Sequence, residues 1–424
     1  MQAWWLWTTN LKKNCSLSRK DIRVAWTWPS LARGSRWHQV LGEFTKHFPN
    51  TVLFTGIWPG FARGLEGTFK VQQLGGVRIF CLGRTKMGVP KAVTWVPPSA
   101  LLRLIRFRPD VLLTNGFGLC TAYALIVKVL MGSRVVLLWQ GISSDTGGEH
   151  GSFRLWVRQM MAPFFDLTIC NTREGVEYLR NMVGIPAAKL WRYVYEVGES
   201  DALFTQESKE VVLPSMDRRP VFLYVGRLIQ AKGVHKLLEA SSLLVERGLK
   251  QFSVMIVGDG DQKRELCQLA HALGLEDQVS WNGFIPHEEL GPYYKACDVF
   301  VLPSLDDTWG VVVPEAMAFG KPVCCSRCAG VSEIVRHGVN GFVFDPYKPE
   351  ELADYMERFI REPGLIEEQG AASKKIIVQH QYPKVASVLA DVVTRILDFQ
   401  TVNLASLGQQ SASADTVLQK PVDF

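Results

Sequence analysis

The chain has 424 residues, 47% apolar and 21% charged, which is an ordinary globular composition and long enough for two domains with full cores. No run of about 18 apolar residues occurs, which argues against a transmembrane helix, and no repeat stands out at solenoid periods. The formal charge of +6 is unevenly spread: residues 1–110 hold 17 Lys or Arg against 4 Asp or Glu, a balance of +13 that leaves −7 for the rest.

Residues 1–20 read as an N-terminal extension. Trp4, Trp5 and Trp7 precede Lys12 and Lys13, an apolar stretch too short for a signal peptide and without basic residues before it. It suits a membrane interface, a disordered extension or a start assigned too early. Residues 21–205 are expected to form the first domain. DIRVAWTW, residues 21–28, is its first strand, and a loop containing Gly34 leads to a helix over 36–46. Strand-like runs follow at 50–54 and 77–82, and the basic, apolar stretch 91–107 reads largely as helix. RPDVLLTNG is a strand with a polar loop at its end. Residues 119–131 read as a core helix broken only by Lys128. GSRVVLLWQG is the next strand, and its C-terminal Gln140 and Gly141 point toward a cleft. Glu149 and His150 in the loop beyond are candidates to face an acceptor. DLTICN, residues 166–171, reads as the last strand of this domain, followed by a helix over 173–182. The basic balance of the domain favours anionic lipid or a phosphorylated acceptor as partner, and nucleic acid is not expected.

Residues 206–220 read as a linker. From 221 to 377, strand and helix alternate, which demands a parallel, doubly wound sheet. VFLYVGRLIQAKGVHK, residues 221–236, is a strand ending at Gly226, then Arg227, then Lys232 with Gly233. A planar guanidinium fork and a mobile ammonium beside glycines suit a diphosphate. VGDGDQ, residues 257–262, is a turn after the next strand. CDVFVLPS closes a buried strand at 299–302, and the loop through Asp307 leads to Gly310 and a helix over VVVPEAMAF. Pro314 is tolerated only in a helix's first turn and Gly320 stops it. Glu315 therefore lies on the opening turn, beside unpaired N–H groups where a phosphate can be held. Residues 350–362 form an amphipathic helix, 378–400 another, and 401–424 a low-complexity tail. The nine cysteines are scattered through strands and helices. They read as buried thiols in a reducing, cytoplasmic setting; the C-x2-C of Cys325 and Cys328 has no second pair to complete a zinc site.

The motifs GR-x4-KG, VGDG, ACDVFVLPS, D-x7-EAMA-x-GKPV and GVSEIV-x-HGVNGFVF, from about residue 221 to 346, resemble those of the retaining GT-B glycosyltransferases of family 4, the glycogen-synthase-like group that uses nucleotide sugars. Over the first half only the layout agrees. The resemblance implies an α/β GT-B fold of two Rossmann-like domains facing a central cleft, with the helix at 378–400 crossing back to the first domain. It implies a hexose-type transfer from a nucleotide diphosphate sugar to a glycan or lipid-linked acceptor. Glu315 is then the ligand of the ribose hydroxyls. Asp307 takes the place of a family Glu at the sugar, and Arg227, Lys232 and the backbone at Val311 and Val312 carry the diphosphate. The backbone at Gly258, Gly260 and Phe284 lies at the base, with Gly310, Gly34 and Gln140 as further donor contacts. Relatives usually place His where Gln140 stands, and Gln can only position. No cofactor is expected, and no metal, because fixed positive charge can serve the leaving diphosphate. Association with the inner membrane face is an expectation from the basic first domain. Asp307 and Gln140 also leave open a non-catalytic nucleotide-sugar-binding scaffold or regulatory relative.

Overall fold

The computed structural model describes residues 18–31, 36–62, 64–142, 152–196 and 217–398. Gly34, Glu149 and His150 lie outside the described residues, as do most of the expected linker, the tail and nearly all of the N-terminal extension. The first nine strands are β1 (Arg23–Ser30), β2 (Asn50–Ile57), β3 (Lys70–Gln73), β4 (Arg78–Arg84), β5 (Pro90–Trp95), β6 (Val111–Asn115), β7 (Arg134–Trp139), β8 (Leu167–Cys170) and β9 (Leu190–Arg192). Seven of them make one parallel sheet in the order β3-β2-β1-β6-β7-β8-β9. The second sheet is built from β10 (Val221–Val225), β11 (Ser253–Val257), β12 (Val279–Trp281), β13 (Val299–Leu302), β14 (Val323–Ser326) and β15 (Gly341–Phe344). Its order is β12-β11-β10-β13-β14-β15, again parallel throughout.

Every residue of β10, β11, β13 and β14 is buried, as strands covered on both faces require. Side chains alternate between two cores. Val221, Leu223 and Val225 face the helices Gly291–Ala296 and Val312–Ala318, while Phe222 and Tyr224 face Val234–Glu246 and Pro349–Arg361. That alternation seats the strand termini of the second domain on rigid elements. The expected crossover helix is present as Tyr382–Leu397. Val385, Ala386, Leu389, Val392 and Val393 are fully buried with Val24, Trp26, Trp37 and Phe44 of the first domain.

Two expectations are corrected. The stretch 91–107 is helical only over Ser99–Phe107, because the β-branched and aromatic run before it pairs as β5, antiparallel to β4, and Pro97 and Pro98 delay the helix. The run at 77–82 is a strand, as expected, and pairs with β5 in a separate two-stranded hairpin. β8 is not the last strand of its domain, since the three-residue β9 pairs outside it, too short to carry a periodic signal. A helix without counterpart among the expected elements, Gly364–Ile377, packs its Gly370 against the backbone of Gly320, where a Cβ would lie 2.2 Å from the Gly320 carbonyl oxygen. A glycine placed for close approach reads in sequence as a breaker.

Candidate functional site

The carboxyl ends of the two sheets' strands meet. Arg173, just beyond β8, donates its backbone N–H to Glu333 Oε1 (2.6 Å), and Arg192 Nε donates to Glu333 Oε2 (2.8 Å). Trp309 Nε1 donates to the Glu196 carbonyl oxygen (3.1 Å). Between these bridges lie the loops that the motifs single out.

Gly226 follows β10, and Arg227 is exposed after it, its carbonyl oxygen accepting from the buried Tyr224 hydroxyl at 2.8 Å. The chain then turns through a 3-10 helix, Gln230–Lys232, and reverses at Gly233 with φ +61°. A Cβ at Gly233 would lie 2.1 Å from the Pro303 carbonyl oxygen, so only glycine lets the turn touch the loop after β13. Leu305 and Asp306 donate their backbone N–H groups to the Ala231 carbonyl oxygen at 2.8 and 3.1 Å. This double anchor sets Lys232 against Asp307, and the two side chains form an ion pair with only 17% and 13% of their surfaces exposed. Asp307 Oδ1 also accepts from Trp309 N at 3.4 Å. The residues expected to serve the diphosphate and the sugar separately are thus in direct contact. An ammonium has three donors, so one carboxylate leaves Lys232 capacity for phosphate oxygens.

Glu315 lies on the first turn of Val312–Ala318, as expected, and is 2% exposed. Each carboxylate oxygen has a partner: Oε1 meets His287 Nε2 at 3.0 Å and Oε2 accepts from the Tyr294 hydroxyl at 2.8 Å. Burial, and then the Glu315 charge, push the Tyr294 phenol far above its ordinary range, so it remains a donor. A carboxylate offers about four lone-pair sites, so two remain for a pair of neighbouring hydroxyls. Gly310 sets the entrance of this helix with φ +103°, and a Cβ there would lie 2.9 Å from Leu302 Cδ2 and 3.0 Å from Val331 Cγ1. Val311 and Val312 open the helix, where the first backbone N–H groups lack intrahelical acceptors.

Gln140, at the end of β7, donates from Nε2 to Glu196 Oε1 at 2.7 Å. Glu196 is 1% exposed, and Asn171 Nδ2 approaches its Oε2 at 3.5 Å. Gln140 thus presents its NH2 to the Glu196 carboxyl group. Gln140 is therefore tied by Glu196 to the loop carrying Asp307 and Trp309. Gly258 and Gly260 pack the second loop on the first: a Cβ on either would lie 1.8 Å from the Gly226 oxygen or 2.4 Å from the Leu228 oxygen. Gly258 N donates to the Gly283 oxygen at 2.7 Å, and the neighbouring Phe284 is 74% exposed. Asp261 pairs with Arg84 of the first domain. Among the described residues no three His, Cys, Asp or Glu side chains converge to hold a metal ion. Cys324 and Cys325 are buried free thiols, pushed up by burial.

The sequence reading missed Tyr294, His287, Glu196 and Asn171. None sits in a motif; each reaches the site through tertiary approach. Tyr294 is one of two adjacent tyrosines in the short helix Gly291–Ala296, and nothing local sets it apart.

Residues 205–376 match the family described as glycosyl transferases group 1. The chain is 32% identical over 265 residues to an alpha-D-kanosaminyltransferase of Streptomyces kanamyceticus, covering 60% of this chain and 68% of that protein. It is 34% identical over 183 residues to a D-inositol 3-phosphate glycosyltransferase of Streptomyces griseus subsp. griseus, covering 41% of this chain and only 39% of the relative. In three dimensions it is similar to the UDP complex of HepE from Anabaena, with a TM-score of 0.65 at 19% identity, over 94% of this chain and all of the other. The fold is the two-domain GT-B arrangement.

Proposed function

The chain belongs to the glycosyl transferases group 1 family, and on that premise we propose that it is a retaining transferase that moves a hexose-type sugar from a nucleoside diphosphate to a hydroxyl of a glycan or lipid-linked acceptor. The observation that carries the reading is the convergence of Lys232, Asp307 and the buried Glu315 where the loops after β10 and β13 meet the opening turn of Val312–Ala318. Ligands of open α/β sheets sit at such strand termini.

In this reading Glu315 accepts from the ribose hydroxyls, while Tyr294 and His287 fix its carboxylate. The sugar lies between Asp307 and Gln140. As the bond from the anomeric carbon to the phosphate oxygen breaks, the diphosphate gains charge; Arg227, Lys232 and the N–H groups at Val311 and Val312 stabilise it. The acceptor oxygen attacks the face that the diphosphate leaves, and the leaving phosphate takes the acceptor proton. No enzymic general base is then required, and Gln in place of His at 140 is compatible with turnover. Fixed cations make the reaction independent of a metal. The backbone at Gly258, Gly260 and Phe284 contacts the base. Relatives named for inositol phosphate and aminosugar acceptors or donors support small-molecule or glycan chemistry without choosing among them.

The test is turnover with a panel of UDP-, GDP- and ADP-sugars, followed by NMR of the anomeric proton in the product. Retained configuration with one nucleotide family supports the proposal; inversion, or donor hydrolysis with no acceptor glycosylated, overturns it.

A further inference from the structure

The β4–β5 hairpin stands apart from both sheets. Every residue of β4 is exposed, and along β5 only Lys91 and Thr94 are partly covered. An isolated two-stranded ribbon is marginal in water, and this one is also rich in large apolar side chains. Phe80 faces Val93 across the ribbon, with Arg78 opposite Trp95 on the same face. Phe80, Val93 and Trp95 are 49%, 47% and 48% exposed, and Leu82, at the bulge between Cys81 and Gly83, is 64% exposed. The helix that follows exposes Leu102 and, one turn on, Arg106. Contiguous apolar surface of this kind marks an interaction face.

Charge selects the partner. Residues 67–109 hold eight Lys or Arg and no Asp or Glu. A second copy of the chain would bring like charge against like, which disfavours a two-fold contact. Nucleic acid would stack on the rings but gives nothing to Leu82 and Val93. A surface offering anionic groups above hydrocarbon answers both features at once, since apolar side chains enter the acyl boundary while Arg and Lys meet the headgroups.

We infer that the Phe80, Leu82, Val93 and Trp95 face of this hairpin, with Arg78 and Lys86 around it, docks the protein on a bilayer containing anionic lipid. The docking itself is independent of the reaction assigned above; one consequence rests on that reading. The hairpin's tip bears on the second domain: Ala231 N donates to the Met87 oxygen at 3.0 Å, and Arg84 pairs with Asp261. The docked ribbon therefore ends on the turn that carries Lys232, which puts the mouth of the cleft beside the lipid surface, where a lipid-borne acceptor is presented.

The full chain is to be floated with vesicles of phosphatidylcholine, with and without phosphatidylglycerol, over a salt series. Binding is expected only with the anionic lipid and falls steeply with salt. The double variants Phe80→Ser/Trp95→Ser and Arg78→Gln/Lys86→Gln should each weaken it roughly tenfold or more, with melting temperatures and nucleotide-induced shifts as in the parent. Equal binding to neutral vesicles, no binding, or variants that bind like the parent would overturn the inference, as would a dimer in solution that the apolar double variant dissociates. Because nucleotide shifts are read in parallel, failure here leaves the transferase reading intact, and failure there leaves this one.

Discussion

At the scale of single residues, the Lys232–Asp307 pair gives the sharpest expectations. Arg227→Ala and Lys232→Ala should each lose about 2–4 kcal/mol of transition-state stabilisation, read as kcat/KM; near-normal turnover in both removes the diphosphate assignment. Asp307→Asn separates the two roles. It releases the Lys232 ammonium from its carboxylate partner, so affinity for a sugar-free nucleoside diphosphate should hold or rise while turnover with the full donor falls. Calorimetry showing weaker diphosphate binding would mean instead that the Asp307 carboxylate is needed to hold the Lys232 ammonium in place for the phosphates. His38 is a second case. It is 1% exposed, packed among Trp58, Phe61 and Phe69, and accepts from Ala62 N through Nδ1 at 2.9 Å. Burial lowers its pKa to about 4. With the folded value depressed, the unfolded chain binds the extra proton, so His38 stabilises fully above about pH 6.5 and this stability is lost as pH falls toward 4. Urea unfolding at pH 7 and pH 5 should differ by on the order of 1–2 kcal/mol from this group. If the difference persists unchanged in His38→Gln, another group titrates.

Among the elements, the short helix Val312–Ala318 depends on how Gly310 leads into it. Gly310→Ala would place a methyl against Leu302 and Val331 at a backbone angle that L-residues rarely adopt, and a loss of about 1–3 kcal/mol of stability is expected. A thermal melt indistinguishable from the parent would mean the loop relaxes freely. The same element shows what the sequence could reveal. Arg227, Lys232, Asp307, Gly310 and Glu315 were legible because each lies at a fixed offset from a strand end and a helix start. Tyr294 and His287, which hold Glu315, and Glu196, which holds Gln140, were not. Their partners lie 21 to 56 residues away in sequence, a separation that no local pattern encodes. The second strand of the hairpin was misread as helix for a related reason: β5 is mostly exposed, so it lacks the alternation of a half-buried strand.

For the whole molecule, the order of strands and helices in the second domain could be read almost directly, since alternation with buried strands allows few arrangements. The first domain was clear only in outline, because β3, β9 and the hairpin are short or exposed. Its core is completed by the distant helix Tyr382–Leu397, so a chain ending at residue 381 should expose the Trp26 and Phe44 cluster and lose cooperative unfolding of the first domain. Two domains bridged in this way, by Glu333, by Trp309 with Glu196, and by the hairpin tip, enclose a cleft from which water can be excluded during transfer. The measurement that tests this most directly is a thermal-shift screen against UDP, GDP, ADP and their common sugars, with Glu315→Gln beside the parent chain. Stabilisation by one nucleotide family, lost or strongly reduced in the variant, is the expected result. The absence of any shift, or a shift of equal size in Glu315→Gln, contradicts a nucleotide-sugar site at Glu315.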